Sequence, residues 1–382
     1  VSGKASGRRL IVLGASARAA AQSAARAGFE PHAIDLFADR DLVAMCPAVR
    51  IERYPAGFLP ALAAAPEATW IYTGGLENYP RLVERMAGVR PLWGNSGASL
   101  RGVRDPWRLS RVLADEGFRV PDLWSPGIDR GGGKWLVKPR LGSGGLGVRW
   151  ASESDFASAG GRHVTQQYVE GECCSATYVA AGGQAMFVGA TRQLVGRDWG
   201  VEPPFIYVGS IAPPALKAGE HQMLVRLGDM LAQRFGLVGL VGVDFVRAGG
   251  EIWPLEVNPR YTASAEVLER VTGMSLIDWH AAACTSEQLP PPVTSQSAVY
   301  AGKAVVYARQ NCAWKQAAAD DAPSDWPVIA DIPHGGQRFA AGQPMVTVFA
   351  VGDSLAAVEH TLRVRRDQIL AAVEAANYQP EA

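Results

Sequence analysis

The stretch that most restricts what this chain can fold into is Val241–Arg260, "VGVDFVRAGGEIWPLEVNPR". Two apolar runs flank Ala248–Gly250, which predicts a β-hairpin turning at the glycines. Each run carries a carboxylate among apolar residues. Residues two apart on a strand share a face, so Glu256 and Asn258 point the same way and Val257 points opposite. Asp244, on the partner strand, can sit across from them. An ionised acid in such a strand is costly unless something neutralises it. Two readings follow: a salt bridge to an arginine such as Arg260, or a hard-cation site. In the second, Asp244, Glu256 and the amide oxygen of Asn258 hold Mg²⁺ together with phosphates. The asparagine has no part in a plain salt bridge.

A second stretch, "WLVKPRLGSGGLGVRW" (135–150), places Gly142, Gly144 and Gly147 in the pattern GxGxxG. A dinucleotide fingerprint follows the first strand of a βαβ unit, opens a helix and has an acid about twenty residues on. This loop is followed by a strand-like segment instead. The first βα turn, "GASARA" (14–19), stands in the right place but keeps only its first glycine. Asp35 follows Gly14 by 21 positions, so a weaker NAD reading persists there. A P-loop string, GxxxxGK[ST], does not occur. What remains is a loop between strands, preceded by Lys138 at a strand end. It suits a triphosphate, because Gly142, Gly144, Gly145 and Gly147 let backbone amides approach phosphate oxygens and Lys138 adds a point charge. A glycine-rich hairpin that merely turns the chain is the alternative.

With 382 residues, 48% of them apolar and 19% charged, the chain is long enough for two or three domains of globular composition. Lys plus Arg equals Asp plus Glu at 37 each, so no global field attracts nucleic acid or an anionic membrane. "RLIVL" (9–13), the Ala-rich run 17–27 and "FEPHAIDLF" predict a βαβ opening to a Rossmann-like α/β domain over 1–100. A mixed α+β domain rich in antiparallel strands is expected over 101–289, with its lid at about 125–195. A helix starts at Asp105–Pro106, a hairpin turns at Gly182–Gly183, and another helix spans 218–235. "LPPPV" (289–293) reads as a linker to a small β-rich domain, 290–382, with a closing helix at 354–376. The five cysteines (46, 173, 174, 284 and 312) show no CxxC pair and read as reduced thiols. No apolar run approaches a bilayer span, and a cytoplasmic protein is expected.

The order of an N-terminal α/β segment, "VKPRLGSGGLGV", "QQYVEGE", "GVDF" and "EVNPR" resembles the ATP-grasp superfamily. It is most similar to the carboligase branch related to carbamoyl-phosphate synthase, biotin carboxylase and the purine-pathway carboxylases. The tail "WPVIADIPHGGQRFAAGQPMVTVFAVG" looks like that branch's C-terminal β-rich domain. The resemblance implies ATP and Mg²⁺ as cofactors. Lys138 would contact the phosphates. The loop Gly142, Ser143, Gly144, Gly145 and Gly147 would be the lid, and Gln167, Tyr168 and Val169 the hinge that reads adenine. Glu172 would hold the ribose, and Asp244, Glu256 and Asn258 the metal. Arg260 and Arg192 would be catalytic, near the acyl-phosphate and the γ-phosphate. Many relatives begin the helix after the first domain with "DK". Here Pro106 stands in the lysine's place, with Arg104 or Arg108 as its possible substitute.

The implied activity is ATP-dependent carboxylate–amine ligation through an acyl-phosphate, on small-molecule substrates, with no nucleic acid or membrane partner and a possible homodimer. Alternatives are a carboxylase that activates bicarbonate and a non-catalytic nucleotide-binding regulator. Ser16, Arg18, Glu77 and Asn78 are the expected substrate contacts, on loops of the first domain.

Overall fold

The computed structural model describes residues 8–127, 129–156, 161–292, 299–315 and 325–377. The strands β1 (Arg8–Gly14), β2 (Phe29–Asp35), β3 (Ala48–Arg50) and β4 (Thr69–Tyr72) form a parallel sheet in the order β3-β2-β1-β4. Leu10, Ile11, Val12 and Leu13 are all fully buried. That unbroken apolar run is what a parallel strand covered on both faces requires. Helix Arg18–Arg26 lays Ala20, Ala21 and Ala24 on one face of the sheet. The same core takes in Tyr261, Ala265, Leu268 and Leu276. The opening unit is therefore fused to the chain that follows it, not hung from a linker. Asp35 accepts hydrogen bonds from the backbone amides of Ala17, Phe37 and Ala38 at 2.6, 2.6 and 2.7 Å. The acid behind the NAD reading is thus spent on holding its own loop.

Helix Pro106–Asp115 starts as its sequence predicts. Asp105 caps it by accepting from the Arg108 amide at 2.9 Å, and Pro106 occupies the first turn, where no donor is missed. The strands β5 (Trp135–Pro139), β6 (Arg149–Trp150) and β7 (His163–Gln167) then make a small antiparallel sheet in the order β6-β5-β7. The glycine loop joins β5 to β6. It is docked, since the Gly144 carbonyl accepts from the Tyr207 amide at 2.9 Å. Gly145 sits at φ +76°, and a Cβ there would lie 2.0 Å from the Phe205 carbonyl oxygen. Only glycine fits that approach.

The main sheet uses β8 (Glu172–Ala181), β9 (Gln184–Val195), β10 (Tyr207–Ala212), β11 (Gly239–Ala248), β12 (Glu251–Asn258) and β13 (Tyr300–Tyr307). Further on come β14 (Cys312–Ala313), β15 (Ile329–Ala330), β16 (Arg338–Phe339) and β17 (Pro344–Gly352). The order is β12-β11-β8-β9-β10-β13-β17-β15, while β14 pairs with β16. The C-terminal strands thus continue the central sheet through the β10–β13 pairing. Helix Ala218–Phe235 packs through Leu224, Leu227 and Leu231 with Tyr178 and Val243. Helix Leu355–Asn377 closes the other end over Val306 and Val348. Of the linker "LPPPV", residues 289–292 have no regular structure and Val293 lies outside the described residues. All five cysteines are free. Among the described residues no helix is long and apolar enough to cross a membrane.

Candidate active site

The β11–β12 hairpin sets Asp244 directly opposite Glu256, and Gly242 opposite Asn258. Asp244 accepts from Gln193 Nε2 at 2.8 Å and from Asn258 Nδ2 at 2.9 Å. Enclosure in the cleft wall, and then the neighbouring charge of Glu256, push its pKa up to about 6. Burial acts in the same direction on Glu256, but Arg104, Lys138 and Arg260 outweigh it and hold that carboxyl below its usual range. The two acids therefore titrate as an unequal pair.

Glu256 is ion-paired to Arg104, whose Nη1 also donates to the Val257 carbonyl at 3.1 Å. Arg260 does not bridge either acid. Its Nε and Nη2 clamp Glu77 Oε1 at 2.9 and 2.8 Å, and Nη2 reaches Asn258 Oδ1 at 3.3 Å. The salt-bridge reading of the hairpin thus holds for Glu256, with a partner more than a hundred residues upstream. Of the two arginines that flank Pro106, Arg104 borders the cavity. Arg108 turns away and lies over the Phe235 ring, 5.6 Å from its centroid.

Glu77 and Asn78 come from the short helical turn Leu76–Asn78, and both are buried. The preceding Gly75 has φ +101°, with the Tyr54 hydroxyl 2.0 Å from where a Cβ would be, so the turn can be entered only by glycine. Asn78 accepts from Arg104 Nη2 at 2.7 Å and donates to the Gly142 carbonyl at 3.1 Å. It ties the glycine loop, the first segment and Arg104 into one network. Both residues were expected to touch substrate. Their polar groups hold Arg260 and Arg104 instead, because those half-buried guanidiniums need acceptors.

Asp244, Glu256, Asn258, Arg104 and Arg260 border one cavity of about 580 Å³, while Glu77 and Asn78 stand behind its lining. Lys138 enters it from the end of β5 and donates to Gln166 Oε1 at 3.1 Å. Gly142, Ser143, Gly144 and Gly145 line it, and Leu136, Val148, Val164, Val246 and Leu255 give an apolar slot. Gln167, Tyr168 and Val169 border that slot. The Tyr168 ring meets Trp150 edge-on at 4.9 Å, and its hydroxyl accepts from Arg197 at 2.7 Å. A slot with apolar walls and backbone edges suits a planar base.

Two expected residues stand elsewhere, for one reason. Side chains alternate along a strand, so a neighbour's choice of face fixes one's own. On β9, Gln193 lines the cleft and Arg192 points to the other side, where it pairs with Glu359 of the closing helix. On β8, Cys173 and Ser175 line the cleft, and Glu172 is held by Arg247 at 2.6 Å. Parity along β9, counted against the buried Ala190 and Leu194, puts Gln193 and not Arg192 on the cleft face. Of the remaining expected substrate contacts, Ser16 lines the cavity and is exposed. Arg18 also borders it but is 2% exposed and ion-paired to Glu266 and Asp331.

Residues 103–264 match the family model of the ATP-grasp domain. The chain carries an ATP-grasp domain. The matched segment spans the glycine loop, both long hairpins and Arg260. Solved structures agree over nearly the whole length. L-amino acid ligase from Bacillus licheniformis is 12% identical with a TM-score of 0.71, covering 96% of this chain and 98% of that one. The biotin carboxylase domain of 2-oxoglutarate carboxylase from Hydrogenobacter thermophilus, solved with MgADP, ADP and bicarbonate, is 15% identical. Its TM-score is 0.69, covering 93% and 88% of the two chains. N5-carboxyaminoimidazole ribonucleotide synthetase, solved as its ADP complex, is also 15% identical at a TM-score of 0.69, covering 96% and 98%. At such identities the likeness shows the fold: an ATP-grasp architecture preceded by a Rossmann-like unit and followed by β-strands. No curated protein matches the chain significantly.

Proposed function

We propose that this ATP-grasp protein is an ATP-dependent carboxylate–amine ligase working through an acyl-phosphate, in small-molecule or cofactor biosynthesis. One observation carries the reading: Asp244 and Glu256 face each other in the cavity that also holds Lys138, Arg260 and the docked glycine loop. ATP with Mg²⁺ is the cofactor pair that such a domain uses. Among the described residues no three of His, Cys, Asp and Glu converge on a point. The donors present are two carboxylates and an amide, which fits Mg²⁺ because that ion keeps sites for substrate phosphates and water. Asp244, Glu256 and Asn258 would hold it, and it would supply neutralisation of charge on the transferring phosphoryl group.

A carboxylate resists attack by an amine because oxide is a very poor leaving group. In the proposed reaction a carboxylate oxygen takes the γ-phosphoryl group, breaking its bond to the ADP oxygen. The amine then attacks the acyl carbon, phosphate departs with the C–O electron pair, and the ammonium proton is lost to solvent. Lys138 approaches the phosphates from the end of β5. The glycine loop, which lines the cavity, would supply backbone amides to the oxygens on which charge grows. Arg260, fixed in place by Glu77, offers its remaining guanidinium surface to the acyl-phosphate. Arg104 sits on Glu256 as a resident counterion, and a cation bound with the nucleotide would take over part of that neutralisation. The loop's contacts with Asn78 and Tyr207 keep water from the intermediate.

ADP release is measured with a panel of carboxylates and amines, with Glu256→Ala as control. Release that needs both a carboxylate and an amine supports the ligase. Release driven by bicarbonate without an amine replaces it with a carboxylase. MgADP binding with no turnover on any pair leaves a regulatory nucleotide binder. An ADP signal that survives Glu256→Ala overturns the site.

A further inference from the structure

The cleft has a second polar pole, built by the N- and C-terminal segments. Arg18, Asp39, Lys303, Asp331 and Thr347 all border the cavity there. Lys303 and Thr347 lie on β13 and β17, toward the opposite edge of the main sheet from the β11–β12 hairpin. Four strand steps separate β11 from β13, about 19 Å at roughly 4.8 Å per step. This leaves room for a substrate beyond the triphosphate.

Every charge at this pole but one is provided for. Glu266 is bracketed by Arg18 and by Lys303, whose Nζ lies at 2.9 Å. Asp331 accepts from Arg18 Nε at 2.9 Å, Arg18 Nη2 at 3.1 Å and the Thr347 hydroxyl at 2.6 Å. Asp41 accepts from the backbone amides of Asp331 and Ile332, each at 2.9 Å. Asp35 has its three backbone amides. Arg18 spends all its nitrogens on Glu266, Asp331 and Gln22. Asp39 is 8% exposed and borders the cavity, and its carboxylate has no donor among the described residues. It heads helix Arg40–Met45, yet its side chain makes no capping hydrogen bond. Burial, then Asp331, Asp35 and Asp41, push its pKa up to about 8. A buried acid beside other acids, unpartnered and facing a cavity, lacks a cation that the protein itself does not supply.

We propose that Asp39, with Asp331 beside it, holds an ammonium group of a substrate, so that this enzyme takes an amino acid or a diamine rather than a bare carboxylic acid. The substrate half of this statement rests on the ligase reading; the ammonium site itself does not.

The full chain is titrated calorimetrically with standard amino acids and short diamines, each beside its desamino counterpart. Wild type, Asp39→Asn and Asp39→Glu are compared, with thermal melting to confirm that each variant folds. The expected result is a ligand that binds tenfold or more weaker when its amino group is removed. The same ligand should weaken tenfold or more in Asp39→Asn and recover in part in Asp39→Glu. Binding at pH 7 should also release a proton, seen as a heat that depends on the buffer. Panel-wide absence of any binding sensitive to Asp39→Asn overturns the proposal. So does binding of Mg²⁺ or Ca²⁺ alone that Asp39→Asn abolishes. MgADP binding to the wild-type chain, measured separately, tests the ligase reading by itself.

Discussion

The two poles of the cleft are built from similar residues and balanced differently. At the hairpin pole Asp244, Glu256 and Glu77 face Arg104, Arg260 and Lys138, and each acid has a donor or cation near it. At the far pole Arg18 and Lys303 are used up by Glu266 and Asp331, and Asp39 is left over. On the proposed reading, the balanced pole would exchange one of its own cations for a metal held by phosphates without leaving a charge buried alone. At neutral pH the far pole keeps a proton on Asp39, and in the proposal a ligand's cation would replace it. The difference teaches where a ligand must bring compensation and where it must displace it.

The comparison breaks most severely at the balanced pole. Glu256→Ala removes a proposed metal ligand and strands Arg104, and kcat/KM in the ADP-release assay should fall by about 10²–10⁴-fold. At the far pole, Arg18→Met should leave the fold intact but weaker. It leaves Glu266 and Asp331 short of their buried partner, and urea unfolding should show a loss of roughly 3–5 kcal/mol.

A smaller effect should come from Asp39 and carry a definite sign. Its folded pKa lies above the unfolded value of 3.8, at about 8. The folded state therefore keeps a proton that the unfolded chain gives up, and stability falls as pH rises through that window. Asp39→Asn removes the penalty. Relative to wild type it should be near neutral below pH 4 and more stable by roughly 1–3 kcal/mol at pH 9, by urea unfolding. A stabilisation independent of pH would show that Asp39 is not the surplus charge. The smallest effect is expected from Arg192→Ala. Its partner Glu359 keeps Arg363 at 2.8 Å, so kcat/KM should change less than about threefold and stability by about 1 kcal/mol or less. A collapse of activity would return Arg192 to the cleft.

Much of the hairpin pole was legible in the sequence. The β11–β12 turn, the facing of Asp244 and Glu256 and the lysine-ended β5 all follow from local rules: alternation, turn glycines and the cost of an acid in an apolar strand. Helix Ala218–Phe235 and the capped start at Asp105–Pro106 follow in the same way. Loop residues misled, because their polarity looks the same whether they meet solvent, substrate or another part of the chain. Glu77 and Asn78 read as open contacts and proved to be the acceptors that steady Arg260 and Arg104. Arg192 misled for a narrower reason. It is the cationic neighbour of the residue that does face the cleft, and a shift of one position reverses a strand's face.

By itself, then, the sequence determined the elements whose information is short-ranged: the strands, the hairpin carrying its acids, and the glycines that let backbone approach backbone. The tertiary structure alone decided how charges separated by hundreds of residues are divided. Arg18 meets Glu266 and Asp331, Arg104 meets Glu256, and the Asp39 carboxyl has no side-chain partner among the described residues. Whether a buried charge is satisfied is a property of the space around it, and no window of sequence contains that space.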